Sequence, residues 1–136
     1  MQVTIVTPVG VKFAGEVATL VAPSMAGDVG ILPRHQPLMA ALRTGPALLT
    51  IPGQEPLRLL LDGGYMHVVN GEHISIVTEL CEGWREIDVA AATAELQRAT
   101  AELLQAREEV ASATWQAKKH AVDLAATRIV IGNSKP

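Results

Sequence analysis

The sequence predicts a mainly β amino-terminal sandwich of about ten antiparallel strands in two sheets, followed by a carboxy-terminal α-helical hairpin. Two observations carry this prediction. Seven of the eight prolines lie at or before Pro56 and ten of the eleven glycines at or before Gly83, so the residues that punctuate turns stop there. Thirteen alanines then stand between Ile87 and Ile131, interspersed with Glu, Gln, Arg and Lys, a composition of helix formers. The boundary is placed accordingly, with residues 1–85 forming the β domain and 86–136 the two-helix domain.

Each element has its own warrant. QVTIVT, EVATLVA, ALLTI, LRLLL, YMHVV and ISIVT are short runs rich in Val, Ile and Leu. Pro8, Gly10, Gly27, Gly45-Pro46, Pro52-Gly53, Gly63-Gly64 and Asn70-Gly71 fall between them, as turns between strands would. No interval has a pattern long enough for a crossover helix, so every pairing is expected to be antiparallel and hairpin-connected. After the boundary, Val89, Ala92, Leu96, Ala99, Leu103, Ala106 and Val110 recur at helical spacing and draw one apolar seam. Its partner is the segment from Ala113 to Ile131, where Trp115, Val122 and Ile129 line up and Ser112 or Thr114 supplies a cap. The first helix carries Asp88, Glu95, Glu102, Glu108 and Glu109 against Arg98 and Arg107; the second carries Lys118, Lys119 and Arg128 against Asp123. An antiparallel hairpin of opposite-signed polar faces follows. Its core is thin, because alanine buries little area and exposed ion pairs contribute only about 0–1 kcal/mol each.

Composition excludes several functions. The 136-residue chain has 11 Lys+Arg against 14 Asp+Glu, a formal charge of −3, which is the wrong sign for a nucleic-acid-binding face. No apolar run reaches membrane-spanning length, so direct membrane insertion is not expected. The opening MQVTIVTPVG alternates without a basic segment ahead of an apolar one, so no signal or transit segment is expected either. Cys81, the single cysteine, has no internal disulfide partner and is expected as a small buried residue in a reducing compartment.

Catalytic chemistry finds little support. His35, His67, His73 and His120 stand in no nucleophile or metal motif, and neither cofactor nor metal is expected. With Asn70-Gly71 as a two-residue turn, His67 pairs with Ile74 and Val68 with His73, which puts the two histidines on opposite sides of the sheet. The segment GDVGILPRH at 27–35 has the glycines of a phosphate loop, but no Lys-Ser/Thr and no helix come after it. It reads as a Gly- and Pro-stiffened loop that presents Asp28, Arg34 and His35, with Ile31 and Leu32 plugging the sandwich.

The stretches GDVGILPRHQPLMAAL at 27–42 and LDGGYMHVVNGEHISIVTE at 61–79, followed by Asp88 opening an Ala-rich helical pair, resemble the epsilon subunit of the F-type ATP synthase, called delta in mitochondria. The resemblance spans nearly the whole chain. It implies a β-sandwich with a helix-turn-helix and a subunit without catalytic residues of its own, part of the rotating central stalk that couples proton transport to ATP synthesis. The implied partners are the gamma subunit, the membrane c-ring and, when the helices extend, the catalytic alpha and beta subunits. Asp28, Arg34 and His35 would then dock on the c-ring, while Lys118, Lys119 and Arg128 would meet an acidic segment of beta and resist ATP hydrolysis. Some relatives bind ATP through I/L-D-x-x-R-A; here Ile87 and Asp88 match, alanine stands at Ala91 in place of the arginine, and Arg98 and Arg128 are the remaining basic candidates. The implied location is peripheral, on the cytoplasmic face of a bacterial plasma membrane or in a mitochondrial or plastid inner-membrane complex. A small-molecule-binding sandwich and a hydrolase are the other classes, and both require a pocket with convergent polar groups.

Overall fold

The computed structural model describes residues 1–106 and 112–133, so Arg107, Glu108, Glu109 and Val110 lie outside the described residues. The chain divides into two compact units, Met1–Trp84 and Arg85–Pro136.

The first unit contains β1 (Gln2–Thr7), β2 (Gly10–Glu16), β3 (Thr19–Ser24), β4 (Gly27–Ile31), β5 (Leu38–Thr50), β6 (Leu57–Asn70), β7 (His73–Val77) and β8 (Cys81–Gly83). They hydrogen-bond in the order β2-β1-β7-β6-β5-β3-β4, with β8 on β6. Eight strands stand where about ten were expected, because β5 and β6 run on for 13 and 14 residues as one antiparallel pair. Their inward face changes phase midway. In β5 the buried residues shift from the even position Leu42 to the odd positions Ala47 and Leu49; in β6 they shift from Leu59 and Leu61 to Met66 and Val68. Gly63 and Gly64, at φ 72° and 99°, break the pleat at this point in β6. Counted as halves, the two strands restore the expected number, and one continuous ladder serves both layers.

A single buried cluster fills the interior, with Val3, Ile5, Met66, Val68, Ile74 and Ile76 facing Leu20, Ile31, Ala47, Leu49, Leu59 and Leu61. One pairing departs from the all-antiparallel expectation: β1 and β7 are parallel, Val3 beside Ile74 and Ile5 beside Ile76. A parallel neighbour requires a long connection but not a helix, and here β2 to β6 are that connection.

The turn between β6 and β7 also differs from expectation. A register shift between Val68 and Asn70 sets Asn70 opposite His73, Val68 opposite Ile74 and His67 opposite Ser75. Sliding by one residue turns a side chain to the other face, so His67 and His73 both point outward and are exposed.

The second unit pairs α1 (Val89–Leu104) with α2 (Ala113–Gly132). Asp88 caps α1, its Oδ1 accepting from the Ala91 amide at 3.0 Å, and Ser112 caps α2 by accepting from Trp115 N at 3.1 Å. Ala92, Ala99, Ala125 and Ile131 are buried, while Leu96 and Leu103 are only half-buried. Gly132 lies tight against the start of the first helix: a Cβ there would lie 2.5 Å from Val89 Cγ2 and 3.2 Å from Ile87 Cγ2. The ion pairs Arg98–Glu95, Arg98–Glu102 and Lys119–Asp123 run along single helices, where residues three and four apart are neighbours.

Candidate functional site

Asp28 is not on a loop. Residues 27–31 form β4, which pairs with β3 across the turn at Met25 and Ala26, and Asp28 stands opposite Pro23. Its exposed carboxylate accepts a 2.7 Å hydrogen bond from Arg43 Nη2, and Arg43 Nη1 donates to the Ser24 carbonyl at 3.4 Å. Arg43 lies in β5 where the long ladder changes phase, so Asp28 belongs to that corner.

Arg34 and His35 lie elsewhere. Arg34 adopts φ 69°, an unusual left-handed conformation for a non-glycine residue, and its amide donates to the Gly71 carbonyl at 3.1 Å. Gly71 allows this contact, because a Cβ there would overlap Arg34 Cα. The Arg34 side chain is exposed; His35 is half-buried, with its amide donating to Leu32 O at 3.1 Å and Nδ1 2.7 Å from Gln36 O. The loop is therefore fastened to the β6–β7 turn, whereas Asp28 is held by Arg43 at the corner of β5. The three residues expected to act together divide into two places. Of the expected plug, Ile31 is buried and Leu32 is 61% exposed.

The helical candidates divide too. Lys118, Lys119 and Arg128 all lie on α2 and are half-buried. Lys119 and Arg128 are nine positions apart, which at about 100° per residue places them on opposite helix faces, roughly 14 Å apart along the axis. Lys119 Nζ is held by Asp123 Oδ1 at 2.6 Å. The three cations do not make one patch.

The positions matching the ATP motif have structural roles. Ile87 is buried, Asp88 is the α1 cap, and Arg98 reaches Glu95 and, at 2.9 Å, Glu102. Hydrogen bonding to Glu95, followed by the charges of Glu95 and Glu102, holds the Arg98 guanidinium above its usual range. No group of three or more metal-ligating side chains occurs among the described residues.

A further surface escaped sequence reasoning. Tyr65 pairs with Val77, Val77 with Val6, and Val6 with Val11, so four apolar residues stand in one row across β6, β7, β1 and β2. Tyr65, Val77 and Val11 are 61%, 55% and 62% exposed. Alongside this row a cleft of about 380 Å³ is lined by three of its members, Val6, Tyr65 and Val77, with Pro8, Gly64 and Glu79 among others. The signal was weak in sequence because YMHVV carries Tyr65 and Val69 on its outward face as well as Met66 and Val68 on the inward one, so apolar character alone does not tell the two faces apart.

The family described as ATP synthase, Delta/Epsilon chain, beta-sandwich domain matches residues 1–83. The ATP synthase epsilon chain of Laribacter hongkongensis is 34% identical over 124 residues, covering 90% of this chain and 88% of that protein. That of Halorhodospira halophila is 33% identical over 118 residues, covering 87% and 84%. Among solved structures, a chain of the Euglena gracilis mitochondrial ATP synthase OSCP/F1/c-ring assembly shares the fold at a TM-score of 0.79 and 21% identity, covering 92% of this chain and 76% of that one. A chain of the Tetrahymena thermophila central stalk and c-ring superposes at 0.64 with 15% identity, covering 95% and 96%. With its sandwich unit matched along its whole length and full-length relatives at about one-third identity, the chain belongs to the ATP synthase delta/epsilon chain family.

Proposed function

We propose that this chain joins the gamma subunit to the c-ring in the central stalk of a proton-translocating ATP synthase, and that its helical unit restrains ATP hydrolysis. As a member of the family it is a non-catalytic ATP synthase subunit and a peripheral part of a membrane complex. No helix among the described residues is long and apolar enough to cross a membrane.

The observation that carries the docking reading is the row Tyr65, Val77, Val6 and Val11. A contiguous apolar row left exposed on a sheet with a complete core of its own is the surface a permanent neighbour covers. We assign this face to gamma. The Asp28–Arg43 corner and the loop of Arg34 and His35 are two separate polar surfaces for the c-ring and neighbouring stalk segments, and the helical unit, with Lys118, Lys119 and Arg128 on α2, faces the catalytic head. The working location is the cytoplasmic face of a bacterial plasma membrane.

Capture by immobilised gamma and by purified c-ring tests this reading. Stable retention on gamma, with c-ring capture that depends on gamma or adds to it, supports it. A chain that elutes from both overturns it.

A further inference from the structure

We propose that Asn70 is a modification site at which the side-chain amide is lost to water through a cyclic imide with Gly71, and that the isoaspartate product unfastens the loop of Arg34.

The chemistry needs an asparagine whose following amide nitrogen can reach Cγ, and glycine is the residue that obstructs this least because it has no Cβ. Gly71 N bonds to Asn70 Cγ, the Cγ–Nδ2 bond breaks, and the amide proton leaves with Nδ2 as ammonia. Water then opens the ring on either side. Opening at Cγ gives aspartate; opening at the main-chain carbonyl gives isoaspartate, whose backbone runs through the side chain. No electrons change hands, and water is the sole co-reactant.

Two places in the chain offer an acidic or amide side chain directly before glycine in a form suited to this ring, Asp62-Gly63 and Asn70-Gly71. The fold separates them. Asp62 is 8% exposed, stands opposite Thr44 in the β5–β6 ladder and accepts a 2.6 Å hydrogen bond from Thr44 Oγ1, so its carboxylate is held in place away from water. Asn70 is exposed at the tip of the β6–β7 hairpin, where chemical attack on a chain concentrates. Its Oδ1 accepts from the Glu72 amide at 2.9 Å, which draws electron density from Cγ and leaves the departing Nδ2 on the solvent side.

The consequence follows from what Gly71 touches. Its carbonyl accepts from the Arg34 amide at 3.1 Å, and a Cβ on Gly71 would overlap Arg34 Cα, so the two backbones leave no space for an added atom. Isoaspartate adds one, lengthening the chain by about 1.5 Å at this contact. Arg34 is at φ 69°, a conformation that a non-glycine residue keeps only when its surroundings impose it. Displacing Gly71 removes that constraint and frees the segment that presents Arg34 and His35.

The test incubates the full-length chain at mildly alkaline pH, which favours loss of the Gly71 amide proton, and follows each peptide by mass. Asn133, the other asparagine, precedes serine and is the internal comparison. The peptide holding Asn70 is expected to become about one dalton heavier several times sooner than the one holding Asn133, with isoaspartate among its products. Hydrogen exchange on the separated isoaspartate fraction reads the second half: the Arg34 amide is expected to exchange about tenfold faster than in the unmodified chain. Asn70→Asp, which brings the charge without the extra chain atom, should keep that amide protected. An Asn70 peptide that gains no mass ahead of the Asn133 peptide overturns the modification site. Isoaspartate with Arg34 still protected, or equal loss of protection in Asn70→Asp, overturns the unfastening.

Discussion

Gly64 and Gly132 show how much a single absent side chain decides. At Gly64 both the positive φ and the Val77 carbonyl oxygen, which occupies the space a Cβ would need, oppose any substitution. Gly64→Ala is expected to cost roughly 2–6 kcal/mol, the combined effect of backbone strain and overlap at about 1–3 kcal/mol each, read as a fall in the denaturant midpoint. Gly132 has ordinary helical backbone, so alanine there gains up to about 1 kcal/mol of helix propensity against overlap with the β-branched Val89. Gly132→Ala is nevertheless expected to lower hairpin helicity by circular dichroism. Asp28 is the contrary case. Its carboxylate is 57% exposed and Arg43 37%, so losing the pair costs about 0–1 kcal/mol. Asp28→Ala is expected to leave the thermal midpoint almost unchanged while weakening attachment of the head to membranes; a large loss of stability with normal attachment would make the residue structural instead. The sequence showed these residues by type. It did not show that Asp28 has a partner fifteen positions away, because nothing local links residues 28 and 43.

Among the elements, α1 has the clearest start. Asp88 bonds the Ala91 amide, and Asp88→Ala is expected to cost the helical unit about 1 kcal/mol, measured as its own unfolding transition. The same element bears on nucleotide binding. Asp88 is engaged as a cap, Arg98 is shared between Glu95 and Glu102, and Ala91 offers no charge to phosphate. Calorimetric titration is expected to detect no sub-millimolar ATP binding by the unmodified chain. Ala91→Arg should improve affinity by roughly ten- to a hundredfold if the motif operates here, the equivalent of about 1.5–3 kcal/mol for one charge-assisted hydrogen bond. The helices were legible because a period of 3.6 survives in the Ala and Leu seam and because Asp88 and Ser112 are capping residues by chemistry. The extents of β5 and β6 were not legible. Gly45-Pro46 and Gly63-Gly64 look like turns, yet both pairs lie inside continuous strands, where they bend the ladder between layers.

For the whole molecule, the division into Met1–Trp84 and Arg85–Pro136 allows the two proposed activities to be tested separately. The β unit has its own buried cluster, drawn entirely from residues up to Ile76, and needs no helix to complete it. A chain ending at Arg85 is expected to fold and to retain gamma, and the head reconstituted with it should hydrolyse ATP faster than the head with the full chain. Equal hydrolysis rates would remove the inhibitory role from the helical unit. Failure of the shortened chain to fold would mean that the β unit depends on the helical unit for its stability.

By itself the sequence determined the two kinds of structure, their order along the chain and the composition that forbids a basic nucleic-acid face, because alternation, helical period, turn residues and net charge are local or additive properties. Tertiary structure alone decided which distant strands pair. It set β1 parallel to β7, put His67 and His73 on one face through a single-residue shift, separated Asp28 from Arg34, and lined up Tyr65, Val77, Val6 and Val11. Each of these depends on register between segments far apart in the chain, and register is fixed by which faces share the core rather than by the residues of either strand alone.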